Sequence, residues 1–194
     1  MNLPSGICSK LAAAFGEVED LETRIKAAIR DIPDFPQPGI LFRDITPVLE
    51  DPGLCSAIIE GFQTQLLGQR IDAVAGIESR GFLFGVPLAI KLHVPFITIR
   101  KKGKLPYKTV SYKYDLEYGS AEIEMHQDVL RSGMNVLVHD DLLATGGTAA
   151  ATAELIRMQG ADVAGFSFLI ELSFLKGVER LKPYGADIIR LVTY

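Results

Sequence analysis

The sequence predicts an α/β domain in which a mainly parallel, twisted β-sheet is flanked by helices. Apolar, β-branched runs alternate along the chain with stretches of helical periodicity, which is typical of parallel strands joined by crossover helices. The clearest strands are expected at residues 71–77, 95–100 and 161–172. With 194 residues and no evident linker, the chain is expected to form one domain with a sizeable core.

The first half of the chain starts with residues 1–19, which have no clear period and are expected to form a loose arm. Apolar residues at helical spacing predict a helix at 21–30, and three prolines and a glycine predict a turn at 31–39. A short extended segment is expected at 40–47, either as an edge of the core or as part of a site. The next predicted elements are a helix from Asp51 and Pro52 to about Leu67, a strand at 71–77, a turn at 78–81 and a helix at 82–92.

The second half contains a polar, basic segment at residues 101–119, between a strand at 95–100 and another at 121–126. A loop of that length inside a compact domain is usually functional, so a lid is expected there. A solvated run of charges is the alternative. The remaining predicted elements are a strand from 136, a helix at 149–158, a strand at 161–172, a short helix or turn at 173–181 and a strand at 188–194.

The composition argues against several classes of protein. The net charge of −4 disfavours a general nucleic-acid binder, and no apolar run approaches the roughly 20 residues of a membrane span. Three scattered histidines and two cysteines lack metal-ligand spacing, and Cys8 and Cys55 are expected to be free thiols. No signal peptide is evident, so a cytoplasmic protein without nucleic-acid or membrane partners is expected.

The strongest functional signal lies at residues 136–148, where a predicted buried strand ends at Asp140 and Asp141. A turn of two threonines and two glycines follows at 145–148 and leads into an alanine-rich helix. Free backbone N–H groups and the positive end of the helix dipole meet there, which predicts a phosphate site. The carboxylates would repel a bare anion but accept hydrogen bonds from a diol, so a ribose 5-phosphate fits. An ordinary strand-to-helix turn with chance acids is the alternative.

This stretch resembles the phosphoribosyl-pyrophosphate (PRPP) motif of type I phosphoribosyltransferases, and its form Asp-Asp-Leu-Leu-Ala-Thr-Gly-Gly-Thr is similar to that of the adenine enzymes. Further similar segments lie at residues 35–47, 78–85, 103–106 and 116–119. The resemblance covers about residues 20–194. It implies a single-domain type I phosphoribosyltransferase fold, with an N-terminal hood at about 33–47 and a flexible flap at about 101–119.

The resemblance also implies a reaction, in which the 5-phosphoribosyl group of PRPP passes to adenine and gives AMP and pyrophosphate. Mg²⁺ is the implied cofactor, carried by PRPP, and a homodimer is the implied assembly. The implied contacts are the 5-phosphate at Ala144, Thr145, Gly146, Gly147 and Thr148; the ribose at Asp140 and Asp141, with Mg²⁺ nearby; pyrophosphate at Ser79, Arg80 and Lys101; and adenine at Leu41, Phe42, Arg43 and Leu142. In the flap, Glu117 is implied as the catalytic group that exchanges a proton with the purine, and Tyr118 and Lys104 as further flap residues.

Charged and titratable residues outside the motif have interpretations of their own. Arg80 stands where a strand meets a helix, which suits a pyrophosphate clamp. The basic cluster of Arg100, Lys101, Lys102 and Lys104 is opposite in sign to the chain and suits the neutralisation of pyrophosphate. His93 and His126 are interpreted as structural residues. His139 departs from the family, which usually has an apolar residue there, and a histidine ring at that place would affect the local charge if protonated.

Three alternatives to adenine transfer stay open at this stage. The first is transfer to another base, namely hypoxanthine, guanine, xanthine or orotate, which the hood segment and Leu-Glu-Tyr-Gly at 116–119 disfavour. The second is a transcription regulator that senses PRPP, for which the arm at 1–19 is too short and insufficiently basic. The third is a purely structural α/β module, which leaves the acid pair and the basic segment unexplained.

Overall fold

The computed structural model describes residues 20–115 and 119–194. The helices are α1 (Leu21–Ala28), α2 (Thr46–Leu49), α3 (Pro52–Gln65), α4 (Gly81–Leu92), α5 (Gly147–Met158) and α6 (Gly177–Leu181), with 3₁₀ turns at Ser173–Leu175 and Lys182–Tyr184. The strands are β1 (Arg30–Pro33), β2 (Leu41–Asp44), β3 (Ala73–Ile77), β4 (Phe96–Lys101), β5 (Thr109–Asp115), β6 (Ser120–His126), β7 (Asn135–Leu143), β8 (Asp162–Glu171) and β9 (Asp187–Thr193). The predicted arm at 1–19 and the flap residues 116–118 lie outside the described residues.

The main sheet has seven strands in the order β5-β6-β4-β3-β7-β8-β9. The five strands from β4 to β9 across the centre run parallel, whereas β5 and β6 are antiparallel additions at one edge. A separate antiparallel hairpin is formed by β1 and β2. The predicted α/β class with a mainly parallel sheet is therefore confirmed.

Apolar layers cover both faces of the main sheet. On one face, Ile25 of α1, Phe62 of α3 and Leu88 of α4 are fully buried against the strands. On the other face, Leu155 of α5 and Leu181 of α6 are fully buried. Helices thus cover both faces, as is usual for parallel sheets. In such folds ligands bind at the carboxyl ends of the parallel strands.

The start of α3 follows its sequence signal. The Asp51 carboxylate accepts a hydrogen bond from the Leu54 N–H at 2.9 Å, and Pro52 occupies the first helical turn, where its missing N–H costs nothing.

Among the described residues, no helix is long and apolar enough to cross a membrane.

The prediction of a long loop at residues 101–119 is wrong for Thr109–Asp115. These residues form β5 and pair with β6 along their whole length. Val110, Tyr112 and Tyr114 share one face of β5 and pack, partly buried, against the core. Every second residue is thus apolar or aromatic, which is the period of a strand. Ser111 and Lys113 between them, and Lys108 just before, conceal that period. The connection from β4 to β5 is only residues 102–108.

Two other boundaries differ from prediction. The strand expected to end at the acid pair continues to Leu143, so Asp140 and Asp141 lie within β7. There β7 still pairs with β8, whereas its pairing with β3 stops at His139, which leaves the acids on an open edge. The turn predicted at 31–39 overlaps β1, which starts at Arg30 and pairs with Leu41–Asp44 in a hairpin at the place of the predicted hood.

Candidate active site

A cleft of about 360 Å³ lies at the carboxyl ends of β3, β4 and β7. Its walls include Glu78, Lys101, Tyr114, Asp140 and Thr148. A smaller pocket of about 80 Å³ adjoins it, lined by the turn at 144–148 and sharing Asp140 and Thr148 with the cleft. The structure therefore brings Asp140, the hydroxyl-glycine turn and Lys101 at the end of β4 to one place, whereas the buried Asp141 lines neither pocket.

The turn Ala144–Thr148 is held in shape by two glycines that touch across the chain. Gly146 has φ of +75°, a left-handed conformation that favours glycine, and a Cβ there would lie 2.6 Å from the Gly177 carbonyl oxygen. A Cβ on Gly177 would in turn collide with the carbonyl oxygen of Ala144. Helix α5 starts immediately afterwards, so its first N–H groups, which have no intrahelical partners, face the small pocket and suit an anion.

The two carboxylates of the acid pair have different partners. The Asp141 carboxylate is almost fully buried and lies 3.0 Å from the Arg80 Nε, whereas the Asp140 Oδ1 accepts the Asp141 backbone N–H at 2.9 Å. Burial, and then the negative charge of Asp141, raise the pKa of Asp140 well above its ordinary value. Burial also raises the pKa of Asp141, against which the Arg80 guanidinium acts. Asp140 is thus the carboxylate whose charge a ligand cation or hydroxyl donor would stabilise.

The turn after β3 places Arg80 beside the acids. The Glu78–Ser79 peptide bond in this turn is cis. Gly81, which starts α4, is pressed against β7, because a Cβ there would lie 2.9 Å from both the Asp140 Oδ1 and the His139 carbonyl oxygen. This close contact between helix start and strand fixes the position of Arg80.

The predicted basic cluster does not act as one unit. Arg100 donates from its Nε to Glu78 Oε2 at 2.7 Å and from its Nη1 to the Lys104 carbonyl oxygen at 3.2 Å. Lys102 lies 3.7 Å from the Glu124 carboxylate. Lys101 is exposed and lines the cleft, whereas Lys104 lies in the exposed connection to β5 and is not among the residues that line it.

The hood residues predicted to hold a base lie on β2. Leu41 is exposed, and the Phe42 ring lies edge-on to Phe35 with centroids 5.1 Å apart. The Arg80 guanidinium is 5.4 Å from the Phe42 ring centroid, which joins the hood to the turn after β3.

The remaining predicted base contacts, Arg43 and Leu142, are placed differently. The Arg43 side chain pairs with Asp31 and stacks over the Tyr194 ring at 3.8 Å, so it leaves only its backbone for a ligand. Leu142 lies on β7 and lines the small pocket beside the turn.

His139 does not change the charge of the site. Its ring is fully buried, its Nδ1 lies 2.9 Å from the Ser167 hydroxyl, and it meets the Phe62 ring edge-on at 5.2 Å. Burial lowers the pKa of His139 to about 3, so the ring is neutral at ordinary pH. As its strand neighbour Asp140 opens on the cleft, the ring points to the other face of the sheet.

Sequence reasoning missed two residues around the cleft. The Tyr114 hydroxyl lies 3.0 Å from the Thr148 Oγ1, and the buried Glu124 accepts the Lys104 and Leu105 backbone N–H groups and the Thr109 hydroxyl. The alternation of aromatic residues in β5 was a signal for Tyr114, whereas no signal in the sequence marked Glu124. The predicted catalytic Glu117 and its neighbour Tyr118 lie outside the described residues.

Comparison with known proteins identifies the family. A model of the phosphoribosyl transferase domain matches residues 53–191, which is most of the chain. The chain belongs to the phosphoribosyltransferase family. Among its phosphoribosyltransferase relatives, the adenine phosphoribosyltransferase of Cytophaga hutchinsonii is 54% identical over 176 residues, which cover 91% of this chain and 97% of the relative.

Solved structures of adenine phosphoribosyltransferases share the fold. The enzyme of Thermoanaerobacter pseudethanolicus is 49% identical with a TM-score of 0.86, over 90% of this chain and 99% of that one. The Saccharomyces cerevisiae enzyme, complexed with adenine and an imino-altritol bisphosphate, is 40% identical with a TM-score of 0.83, over 88% and 98% of the two chains. The predicted phosphoribosyltransferase fold and the resemblance to the adenine enzymes are confirmed.

Proposed function

We propose that the chain is an adenine phosphoribosyltransferase, which transfers the 5-phosphoribosyl group of PRPP to adenine and releases AMP and pyrophosphate. The observation that carries this proposal is the joining of the hydroxyl-glycine turn and Asp140 in one cleft, in a chain about half identical to enzymes of that name. The physiological role is the salvage of adenine into AMP.

The 5-phosphate is proposed to bind in the small pocket formed by Ala144–Thr148. Backbone N–H groups at the start of α5 and the threonine hydroxyls are donors, which match the acceptor oxygens of a phosphate. The ribose hydroxyls then lie toward Asp140 and Asp141, whose carboxylates accept their hydrogen bonds. Placing sugar and phosphate at neighbouring sites fixes the anomeric carbon at the mouth of the cleft.

Pyrophosphate is proposed to bind at Ser79, Arg80 and Lys101. Lys101 supplies positive charge in the wall of the cleft, and Arg80 supplies it beside the acid pair. A guanidinium fits phosphate oxygens with paired donors. Arg80 is already paired with Asp141, so the pyrophosphate shares this cation with a carboxylate.

Mg²⁺ is proposed as the cofactor, bound to PRPP. Within residues 20–115 and 119–194, no group of three or more His, Cys, Asp or Glu side chains is placed to hold a metal ion. Asp140 and Asp141 fit a metal carried by the substrate, because a nearby cation stabilises the charged form of buried carboxylates. When bound, Mg²⁺ neutralises negative charge on the pyrophosphate.

Adenine is proposed to lie between the hood and β7. Leu41, Phe42 and Leu142 supply apolar surface, and the Arg43 backbone supplies polar groups for the edge of the base. The Arg43 side chain is occupied by Asp31 and Tyr194, which agrees with a role for its backbone alone.

The reaction is a substitution at the anomeric carbon. A bond forms from the base nitrogen to this carbon while the bond to pyrophosphate breaks, and the electron pair leaves with the pyrophosphate. The sugar is positive in the transition state, so the protein contributes mainly by holding both partners and the leaving charge in place. Glu117 is proposed to exchange the purine proton, with Tyr118 and Lys104 as its flap neighbours.

A homodimer is proposed as the assembly. Leu83, Val86 and Ile90 recur on one face of α4 and are 42%, 39% and 69% exposed. Since α4 starts at the Arg80 turn, a second copy of the chain on this face would also support the pyrophosphate site. Light scattering should give the mass of two chains, and Ile90→Glu should shift it toward one; a wild-type mass of one chain would contradict the proposal.

The test of the proposed function is AMP formation from adenine and PRPP, measured beside hypoxanthine and guanine in the presence of Mg²⁺. Adenine should be used far faster than either other base. A preference for hypoxanthine or guanine would assign the chain to another branch of the family, and no turnover with any base would contradict transfer altogether.

A further inference from the structure

One tyrosine reaches the phosphate turn from the opposite edge of the sheet. The Tyr114 hydroxyl on β5 lies 3.0 Å from the Thr148 Oγ1 at the start of α5. Both residues line the cleft beside Asp140. The Tyr114 ring also covers Gly147, since a Cβ on that glycine would lie 3.7 Å from the ring edge. The contact is therefore made at the mouth of the proposed phosphate pocket.

The position of Tyr114 is set by regular structure on both sides of it. It pairs with Ala121 in the antiparallel ladder that joins β5 to β6. At the other end of β5, the buried Glu124 carboxylate accepts the Lys104 and Leu105 N–H groups and the Thr109 hydroxyl at 3.0 Å each. A strand anchored in this way presents its hydroxyl at a defined point.

The direction of the hydrogen bond between the two hydroxyls decides what Thr148 offers a ligand. A threonine hydroxyl has one proton and two acceptor lone pairs, and a phenol also has one proton to donate. If Thr148 donates to Tyr114, its proton is unavailable to the pocket. If Tyr114 donates to Thr148, the threonine proton is free to point at a phosphate, whose ionised oxygens only accept.

We propose that Tyr114 is a positioning residue for the 5-phosphate, which donates to the Thr148 Oγ1 and thereby directs the Thr148 proton at the phosphate. This inference rests on the proposed function, since the ligand is a sugar 5-phosphate. Tyr114, on β5, is not among the site residues predicted from the sequence.

The test is a double-mutant cycle with Tyr114→Phe and Thr148→Val, in which calorimetry measures the binding of AMP and of ribose 5-phosphate. Tyr114→Phe should weaken both ligands about 5- to 20-fold, because a hydrogen bond to a charged group loses its orienting donor. In the Thr148→Val background the same change should have little further effect. In Tyr114→Phe the KM for PRPP should rise while kcat stays close to that of the wild type. In a Thr148→Ser background, which keeps the hydroxyl, Tyr114→Phe should again weaken binding as it does in the wild type.

Tyr112→Phe is the matched control. Tyr112 lies on the same face of β5, two residues earlier, and forms no hydrogen bond to residues 144–148 in the described part of the chain. It should leave AMP binding unchanged. Wild-type affinity in Tyr114→Phe, or additive losses in the double variant, would overturn the inference while wild-type turnover of adenine still supports the function. A wild-type chain that binds neither AMP nor ribose 5-phosphate would overturn both.

Discussion

Gly146 offers the most direct test of the phosphate turn. In Gly146→Ala the new Cβ would lie 2.6 Å from the Gly177 carbonyl oxygen, whereas real Cβ atoms keep at least 3.0 Å, so one backbone must move by about 0.4 Å. The left-handed backbone, with φ of +75°, adds about 1–2 kcal/mol of its own. The turn is therefore expected to shift relative to α6.

The loss of AMP affinity follows from the hydrogen bonds that the shift would break. A hydrogen bond to a charged group contributes about 1.5–3 kcal/mol, and each 1.4 kcal/mol is about tenfold in affinity. Loss of one such bond to the 5-phosphate should weaken AMP binding about 10- to 150-fold. Calorimetry measures this loss, and chemical unfolding measures the accompanying fall in the free energy of unfolding.

Gly185→Ala is the control for backbone strain. Gly185 has φ of +66°, and nothing lies within 4 Å of a Cβ built on it. This variant should be destabilised by about 1–2 kcal/mol and should bind AMP normally. If Gly146→Ala bound AMP as tightly as the wild type and were destabilised no more than Gly185→Ala, the phosphate would not lie against this turn.

Three further predictions concern charged and titratable residues. Asp140→Asn and Asp141→Asn should each lower turnover with PRPP without admitting guanine, and normal PRPP kinetics in either variant would move the ribose site elsewhere. Above the ordinary carboxyl pKa, Asp140→Asn should also melt at a higher temperature than the wild type, because the raised pKa of Asp140 makes its ionisation cost stability as pH rises. Glu117→Gln should lower kcat about 10²-fold or more with a smaller change in KM, and Asp115→Asn should be mild; the reverse order would refute the choice of Glu117. Because burial lowers the pKa of His139 to about 3, the unfolded chain takes up its proton first, so the wild type should lose about 1.4 kcal/mol per pH unit below about 6.5, and His139→Leu should remove that loss. Chemical unfolding at several pH values measures this loss. An equal fall in the free energy of unfolding with acid in the wild type and in His139→Leu would contradict the last prediction.

The parallel core could be predicted from the sequence because each buried strand is a local apolar run. β3 and β8 are of this kind, and their positions were found to within two residues. β5 was missed since its apolar face is formed only by alternate residues and is stabilised by pairing with β6. Lysines and a nearby glycine are typical of a loop. They hide the weak alternation of apolar residues when the partner strand is unknown.

The candidate site was predictable to the same extent. The turn at 144–148 is contiguous, so its glycines and hydroxyls can be recognised together. The residues that hold this turn in shape are not contiguous with it, because Gly177 is far from Ala144 in the sequence and touches it only in the folded chain. The same holds for the Tyr114 hydroxyl, which reaches Thr148 from the far edge of the sheet.

The acid pair shows how adjacent residues come to different tasks. Neighbours in a strand point to opposite sides, so Asp140 and Asp141 make their closest contacts with different residues. Asp141 meets Arg80, while Asp140 lies against Gly81, the residue next to Arg80. Asp141 therefore helps to hold the Arg80 guanidinium in place. Under the proposed function the loss of Asp141 disturbs pyrophosphate binding together with ribose binding. Asp140 forms no salt bridge within the described residues, and the Arg80 charge only partly offsets the effects that raise its pKa. Under the proposed function its loss therefore acts mainly on the ribose and the metal carried by PRPP.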